Sequence, residues 1–393
     1  MKYVPLILIG LLFSCNRNTE PSNTTRPDVT RIDTIACAPE YDTPLDSIIE
    51  KIDYVKLRST ENNPIGEVDA LWITPDNIVV ADYNLSKSIF IFDRLGRLQA
   101  TISRLGRGPQ EYLSIFDVVL TPDRQRVAVL DNHGKKILYY DLAGNFLFCK
   151  ELPFYAIGMK YFDEENILMT TYGLGADDPG LASYPNNNDL LYWVDTTMRI
   201  RKSFMPNPFN KNFSCKIPLV KQFGPSRIYA TLAYSDTVYR ITPQGMIARY
   251  WIDLSPVGGV SNLGKEATDE KTSELIRTTI PIFMGELLEN DRFIIFKPLD
   301  TPAILFSKKT SKCYYLNNGS SRVLNYHLAS VDFAHEDRFI TVVPAYQLCN
   351  VIKFKDSTNI ELAEEIAMGL TENDDPVLLF YTLKEPEADR QHK

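Results

Sequence analysis

Two stretches of the sequence, residues 71–98 and 119–147, carry the same landmarks in the same order. The landmarks lie 47 to 49 residues apart and are, pair by pair, Thr74 and Thr121, Asp82 and Asp131, Asp93 and Asp141, and Gly96 and Gly144. Self-similarity at a fixed period indicates a repeated supersecondary unit, and it therefore restricts the possible folds more than any other feature of the chain.

Each unit contains four short apolar runs separated by turn residues. In the first unit a Pro-Asp turn follows residues 71–74, and an Asp-x-x-Gly turn follows residues 88–92. Neither unit shows the 3.6-residue periodicity of helical repeats. Four antiparallel strands with a period of about 40–50 residues are typical of one blade of a β-propeller.

Weaker copies of the unit predict four further blades, over residues 158–204, 226–254, 291–316 and 329–383. A helix interrupts the last blade, and the sequence offers that blade only three strands.

The missing strand is predicted at the other end of the chain. Residues 52–58 alternate between apolar and polar, and pairing them with residues 377–383 would close the ring and cover two free sheet edges. The sequence therefore predicts an all-β protein, a six-bladed β-propeller over residues 31–385 that is closed by an N-terminal strand and carries short helical insertions. Residues 386–393 form a polar tail.

The N-terminal residues 1–15, MKYVPLILIGLLFSC, have the form of a lipoprotein signal peptide, with Cys15 as the lipidation site. An ordinary signal peptide with an incidental cysteine is the alternative. Residues 16–30 are polar and predict a flexible tether. We expect a cell-envelope protein that a lipid on Cys15 anchors to a membrane. No acidic cluster directly follows Cys15, which favours the outer membrane and a periplasmic orientation.

Several segments together resemble the six-bladed β-propeller lipoproteins of Gram-negative anaerobes, a group similar in fold to NHL-repeat and TolB-like propellers. They are the lipobox, the pre-blade strand IDYVKLRST, the motif Gly106-x-Gly108-Pro109-x-Glu111-Tyr112 and the terminal NDDPVLLFYTLKE. The resemblance covers nearly the whole chain. It implies a cell-envelope binding or scaffolding protein, and it transfers no catalytic motif.

The loop TISRLGRGPQEYLS, residues 101–114, joins the first two blades. It lacks the spacing of a phosphate-binding loop and leads into a strand instead of a helix. We expect a positive φ at Gly106 and Gly108, which would allow a tight crossing. In a propeller such loops share a face with the turns between the second and third strands of each blade.

Seven side chains on that face are candidate ligand contacts, which we expect in one cleft at the rim of the central channel. They are Asp82, Asn84, Arg107, Glu111, Tyr112, Asp131 and His133. A structural alternative stays open, in which Arg107 and Glu111 clasp neighbouring blades while Asp82 and Asp131 cap turns.

The net charge of −8 argues against nucleic acid as a partner. Searches for a nucleophile elbow, a zinc-protease motif and a calcium loop find none. We expect a non-enzymatic binding or scaffolding module for a glycan, a peptide or an envelope protein, without a cofactor. The alternative is a channel-sited hydrolase or lyase that uses a divalent cation such as calcium. It would require three or more carboxylate, Asn or His ligands that converge.

If Cys15 is lipidated, the wild-type protein should fractionate with membranes and leave them only in detergent. The Cys15→Ala variant should then appear in the soluble fraction, because the chain loses its acyl anchor. Immunoblotting of the two fractions measures the change. Unchanged membrane association of the variant would contradict the anchor.

Overall fold

The computed structural model describes residues 30–33, 43–173, 175–207, 219–224, 227–232, 235–259, 280–317, 324, 327–351 and 360–385. The predicted signal peptide, the tether up to residue 29 and the tail at residues 386–393 lie outside these described residues. Their assignments stay predictions.

Six sheets, each with four antiparallel strands, surround one axis, which confirms the six-bladed β-propeller. Blade one contains β4 (Ala70–Ile73), β5 (Asn77–Asp82), β6 (Ser88–Asp93) and β7 (Leu98–Ile102). Blade two contains β8 (Asp117–Leu120), β9 (Arg126–Asp131), β10 (Lys136–Asp141) and β11 (Phe146–Glu151). Blade three contains β12 (Gly158–Tyr161), β13 (Asn166–Thr170), β14 (Asp189–Asp195) and β15 (Ile200–Pro206).

Blades four and five are built from consecutive strands, and blade six adds a strand from the N-terminal part of the chain. Blade four contains β16 (Leu219–Phe223), β17 (Arg227–Thr231), β18 (Thr237–Ile241) and β19 (Met246–Asp253). Blade five contains β20 (Leu287–Glu289), β21 (Phe293–Phe296), β22 (Ala303–Ser307) and β23 (Lys312–Asn317). Blade six contains β24 (Phe333–His335), β25 (Arg338–Val343), β26 (Val377–Leu383) and, as its outermost strand, β3 (Ile49–Lys56).

The predicted closure is confirmed, because β3 pairs antiparallel with β26 from Lys56 opposite Val377 to Ile49 opposite Leu383. The closing strand starts three residues before the predicted segment. Its residues Glu50 and Lys51 are consecutive exposed charges, so the alternation of apolar and polar residues begins only after them.

Two further N-terminal strands were not predicted. β1 (Thr30–Asp33) adds in parallel to the outer edge of β19, and β2 (Thr43–Pro44) adds in parallel to the outer edge of β23. Blades four and five therefore have five strands each. The chain thus contacts the outer edges of three successive blades before the first blade begins, which covers edges that would otherwise be open to pairing.

Three short helices are described: α1 (Leu45–Ile48), α2 (Ala345–Val351) and α3 (Ile360–Ala367). Helices α2 and α3 form the predicted insertion between β25 and β26. Helix α3 is followed by Gly369, whose φ of 73° is the left-handed conformation that glycine provides after a helix.

The second and third strands of a blade have both faces buried because each blade lies between two others. Val79 and Ala81 of β5 pack in one cluster with Val118 and Val129 of blade two, whereas Val80 packs with blade six. This explains why these strands appear in the sequence as continuous apolar runs.

Deleting residues 31–58 should abolish a single cooperative thermal transition or lower its midpoint, because it removes β3 and exposes an edge of β26. Heating while the far-UV circular dichroism of the β-strands is recorded would measure the midpoint and the cooperativity of the transition. A deletion of residues 16–29 is the matched control and should melt like the full chain. Equal melting of the two deletions would exclude closure by β3.

Candidate functional site

The propeller encloses a central channel of about 440 Å³. Its wall is formed by the innermost strand of each blade, and each of these strands is paired on one side only. Because the innermost strands all run in the same direction, the channel has two distinct ends. We call the end where these strands begin the upper mouth and the end where they finish the lower mouth.

Asp117 at the upper mouth joins three blades. Its Oδ1 accepts a hydrogen bond of 3.1 Å from the Tyr83 hydroxyl of blade one. Its Oδ2 accepts hydrogen bonds from the backbone N–H of Met159 at 2.8 Å and from Lys160 Nζ at 2.6 Å, both of blade three. Burial and the adjacent Asp117 charge raise the pKa of Tyr83 well above its ordinary value, so this hydroxyl stays a donor. The charge of Asp117 is therefore satisfied within the protein.

Two other carboxylates at the upper mouth have fewer partners. Asp69 accepts a hydrogen bond of 2.6 Å from the backbone N–H of Tyr83, and Asp332 accepts one of 2.8 Å from the backbone N–H of Val342. Partial burial raises the pKa of the Asp69 carboxyl group. Desolvation by the surrounding wall also raises the pKa of Asp332, although this residue stays exposed to solvent. Within the described residues neither carboxylate forms an ion pair closer than 4.0 Å. Both carboxylates therefore line the channel, and the protein supplies only part of the interactions that would stabilise their charge.

The lower mouth carries basic side chains. Arg124 follows β8 in a turn with a φ of 57°, and His335 ends β24. Burial lowers the pKa of His335. The Glu336 carboxylate, 3.7 Å from the imidazole, opposes this shift, and the charges of Arg338, Arg124 and Arg94 add to it, so the pKa stays below its ordinary value. The neighbouring Asp123 carboxylate pairs with Arg126 at 2.8 Å and leaves the Arg124 guanidinium without an ion pair among the described residues.

Three of the seven predicted contacts are buried. Asp82 and Asp131 end the second strands of their blades, and both are 0% exposed, as is Tyr112. Asp131 accepts hydrogen bonds from the backbone N–H groups of Leu113, Ser114 and Gly134. The structure thus gives Asp131 the turn-anchoring contacts of the structural alternative.

Asp82 makes the equivalent contacts in blade one. Its carboxylate accepts hydrogen bonds from five backbone N–H groups, those of Gly66, Glu67, Asn84, Leu85 and Ser86. Burial alone would raise the pKa of Asp82, but the hydrogen bonds outweigh burial and hold the pKa below its ordinary value. The carboxylate fixes the blade-entering segment against the turn between β5 and β6.

The loop around Gly106 is also held by internal contacts. Glu111 Oε2 accepts a 2.8 Å hydrogen bond from the backbone N–H of Gly108, and a Cβ on Gly106 would lie 2.1 Å from the same oxygen. The expected positive φ at Gly106 and Gly108 is wrong, because neither is among the positive-φ glycines. A side chain at Gly106 would displace the Glu111 carboxylate from its present position. The Tyr112 hydroxyl lies 2.7 Å from the Lys87 carbonyl, and burial raises the pKa of Tyr112 to about 12.

The remaining three predicted contacts are exposed: Asn84, Arg107 and His133. Asn84 follows Tyr83, which lines the channel, and the His133 ring packs edge-on against Phe116, another channel residue, at 5.1 Å between ring centres. None of the seven predicted residues lines the channel itself, so the structure does not gather them into one cleft.

Sequence reasoning missed the channel residues Asp69, Asp117 and Asp332. Each stands at, or directly before, the first residue of an innermost strand. A comparison of the residues that begin the first strand of every blade would have revealed this pattern of carboxylates.

Within the described residues no group of three or more His, Cys, Asp or Glu side chains is arranged to hold a metal ion. The metal-dependent hydrolase or lyase stays a prediction. No helix in the described part of the chain is long and apolar enough to cross a membrane.

The profile of a protein family described as a domain of unknown function, DUF4934, matches residues 29–382. The sequence matches no curated protein. Among solved structures, an exported-protein candidate from Bacteroides fragilis NCTC 9343 is similar over 91% of this chain and 100% of its own, with 17% identity and a TM-score of 0.69. A member of the DUF4221 family from Bacteroides vulgatus is similar over 86% of this chain and 97% of its own, with 11% identity and a TM-score of 0.49. At these identities the first likeness shows the fold alone.

The Asp82→Ala variant should lower the free energy of unfolding by about 3 kcal/mol or more, because it leaves several backbone N–H groups without an acceptor. Asn84→Ala, two residues away and exposed, should change it by less than about 0.5 kcal/mol. Urea denaturation measures both.

The Asp82 effect should also depend on pH. A carboxylate with a lowered folded-state pKa stabilises the protein above the unfolded pKa of about 4 and loses this effect as the pH falls through the folded value. The difference between wild type and Asp82→Ala should therefore shrink in acid. Equal effects of the two substitutions would contradict the anchoring role.

Proposed function

Since the chain belongs to the DUF4934 family, whose function is unknown, we propose from the site itself that the protein is a non-enzymatic binding module of the cell envelope, and that its ligand enters the central channel through the upper mouth. The ligand belongs to the classes favoured by the sequence: a glycan, a peptide or an exposed segment of an envelope protein.

The composition of the channel wall carries this proposal. Both aromatic rings and ionisable groups line it; the aromatic residues are Trp72, Tyr83, Phe116, Tyr161, Phe223 and Phe333, of which Tyr161 and Phe223 are almost fully buried. Ligand sites typically combine such apolar surface with a few polar groups that fix orientation, and their volumes start at about 300 Å³. The unpaired edges of the innermost strands add backbone N–H and C=O groups that can bond a polar ligand.

The exposed predicted residues support entry at the upper mouth. Asn84 and His133 lie next to the channel residues Tyr83 and Phe116. A partner larger than the channel would meet these side chains first and would place only a projecting group inside. Arg107 extends the same face, where it offers a charged contact that the fold does not use.

The envelope location rests on the sequence, on the Leu12–Cys15 lipobox and the polar segment that follows it. Thr30, the first described residue, lies at the outer edge of blade four. Attachment at the rim of the propeller would leave both channel mouths accessible.

A blocked channel should abolish binding. Gly158 lines the channel, and a Cβ there would meet its nearest atoms, on Asp117 and Thr170, at 3.5 and 3.6 Å, which is ordinary contact. Gly158→Phe should therefore fill the channel without backbone strain. Binding is measured on an array of short peptides and oligosaccharides. The signal of Gly158→Phe should be about tenfold or more below that of the wild type, which corresponds to a loss of roughly 1.4 kcal/mol of binding free energy.

Gly245→Phe is the matched control, because a Cβ at Gly245 has no neighbour within 4 Å and the position lies in an outer turn between β18 and β19. This variant should bind like the wild type. Both variants should keep the wild-type melting curve. Ligands that bind Gly158→Phe as well as the wild type would refute the channel as the site.

A further inference from the structure

The two mouths of the channel carry opposite free charges. At the upper mouth, Asp69 and Asp332 each accept a single hydrogen bond from a backbone N–H and have no cationic partner within 4.0 Å in the described chain. Asp117 does not add to this free charge, because Lys160 neutralises it at 2.6 Å. At the lower mouth the Arg124 guanidinium has no ion pair among the described residues. The Glu336 carboxylate, 3.7 Å from the His335 imidazole, is exposed and does not line the channel.

Lys221 lies between these ends. It belongs to the innermost strand of blade four, and its charge acts on Asp332 across the channel, although the two side chains are too far apart for an ion pair. Lys221 therefore partly balances the Asp332 carboxylate at a distance, whereas it is not among the charges that act on Asp69. Of the charged side chains that line the channel, those without an ion pair among the described residues are therefore negative at the upper mouth and, with Arg124, positive at the lower mouth.

The distance between the ends follows from blade two, which contributes to both. Asp117 begins β8, and Thr121 begins the turn that carries Arg124. Four residues of extended strand span about 13 Å. An extended peptide rises by about 3.3–3.6 Å per residue, so a chain of roughly four residues would reach from one charged end to the other.

The wall between the ends suits a peptide backbone. The innermost strands leave one edge unpaired, and such an edge presents N–H and C=O groups at the spacing of a peptide. Trp72 and Phe116, both partly exposed, add aromatic surface to the wall, against which side chains of a bound peptide can pack.

We propose that the channel binds short linear peptides of about four residues with both termini free, with the ammonium group towards Asp69 and Asp332 and the carboxylate towards Arg124. This inference rests on the proposed function and specifies its ligand. A neutral glycan would leave Asp69, Asp332 and Arg124 without an ionic partner, which disfavours it.

The test is affinity selection, followed by calorimetry, with a library of tetrapeptides that have free termini. The same library is also used with an acetylated N-terminus and with an amidated C-terminus. The wild type should prefer the free peptides about tenfold over either blocked form, because each block removes one charge-assisted contact.

Substitutions at each mouth of the channel should remove the preference for one free peptide terminus only. The double variant Asp69→Asn/Asp332→Asn keeps an oxygen for each backbone N–H but loses the charge, so acetylated and free peptides should bind it equally. Arg124→Gln should remove the preference for a free carboxylate and leave the preference at the N-terminus. Asp76→Asn and Arg199→Gln, both exposed and outside the channel, should keep both preferences. Loss of selectivity at one end alone cannot result from unfolding.

The outcomes separate this inference from the channel site itself. If blocked peptides or neutral oligosaccharides bind the wild type as well as free peptides do, and Gly158→Phe abolishes this binding, the peptide inference is overturned while the channel site stands. If free tetrapeptides bind the wild type and Gly158→Phe equally, both fail. If no tetrapeptide binds the wild type, the peptide inference fails. A preference for free termini that both channel variants retain would also overturn it.

Discussion

The pairing of β3 with β26 is the contact on which the rest of the structure depends, because it joins residues 49–56 and 377–383 into one sheet. Strand β26 in turn has two buried faces. Leu378 and Phe380 pack in a cluster with blade one, whereas Leu379 and Tyr381 pack in a cluster with blade five. Closure therefore fixes the spacing of all six innermost strands. The width of the channel and the positions of its charged residues follow from that spacing.

The repeat in the sequence predicts most of this fold because each landmark has a local physical cause. The Asp-x-x-Gly turns at Gly96 and Gly144 have φ values of 78° and 83°, which only glycine adopts at little cost. Strand β26 was predicted with its observed bounds, since its apolar residues form one continuous run. Strands β1 and β2 could not be predicted in the same way. They are four and two residues long and add in parallel to existing edges, so they leave neither a repeat nor a periodicity in the sequence.

The candidate site was predicted less well than the fold, and Asp82 shows the reason. An aspartate at the end of a strand can bind a ligand or anchor a turn, and the sequence is the same in both cases. Only the folded chain shows that five backbone N–H groups converge on Asp82. The channel residues posed the opposite difficulty. Nothing in the sequence around Asp69 distinguishes it from an ordinary surface residue. It lines the channel only because six innermost strands meet around one axis.

The difference between Asp82 and Asp69 supports the proposal that a ligand enters the channel. Asp82 is fully buried, yet its pKa is lowered, because the fold supplies the hydrogen bonds that replace water. Asp69 is less buried, yet its pKa is raised, because burial outweighs the one hydrogen bond from Tyr83 and Glu67 and Asp82 add negative charge nearby. The chain thus stabilises the charge of one carboxylate completely and that of the other only in part. A carboxylate that anchors the fold gains nothing from a ligand, whereas a cationic group that enters the channel can supply Asp69 with the interactions that the fold does not provide.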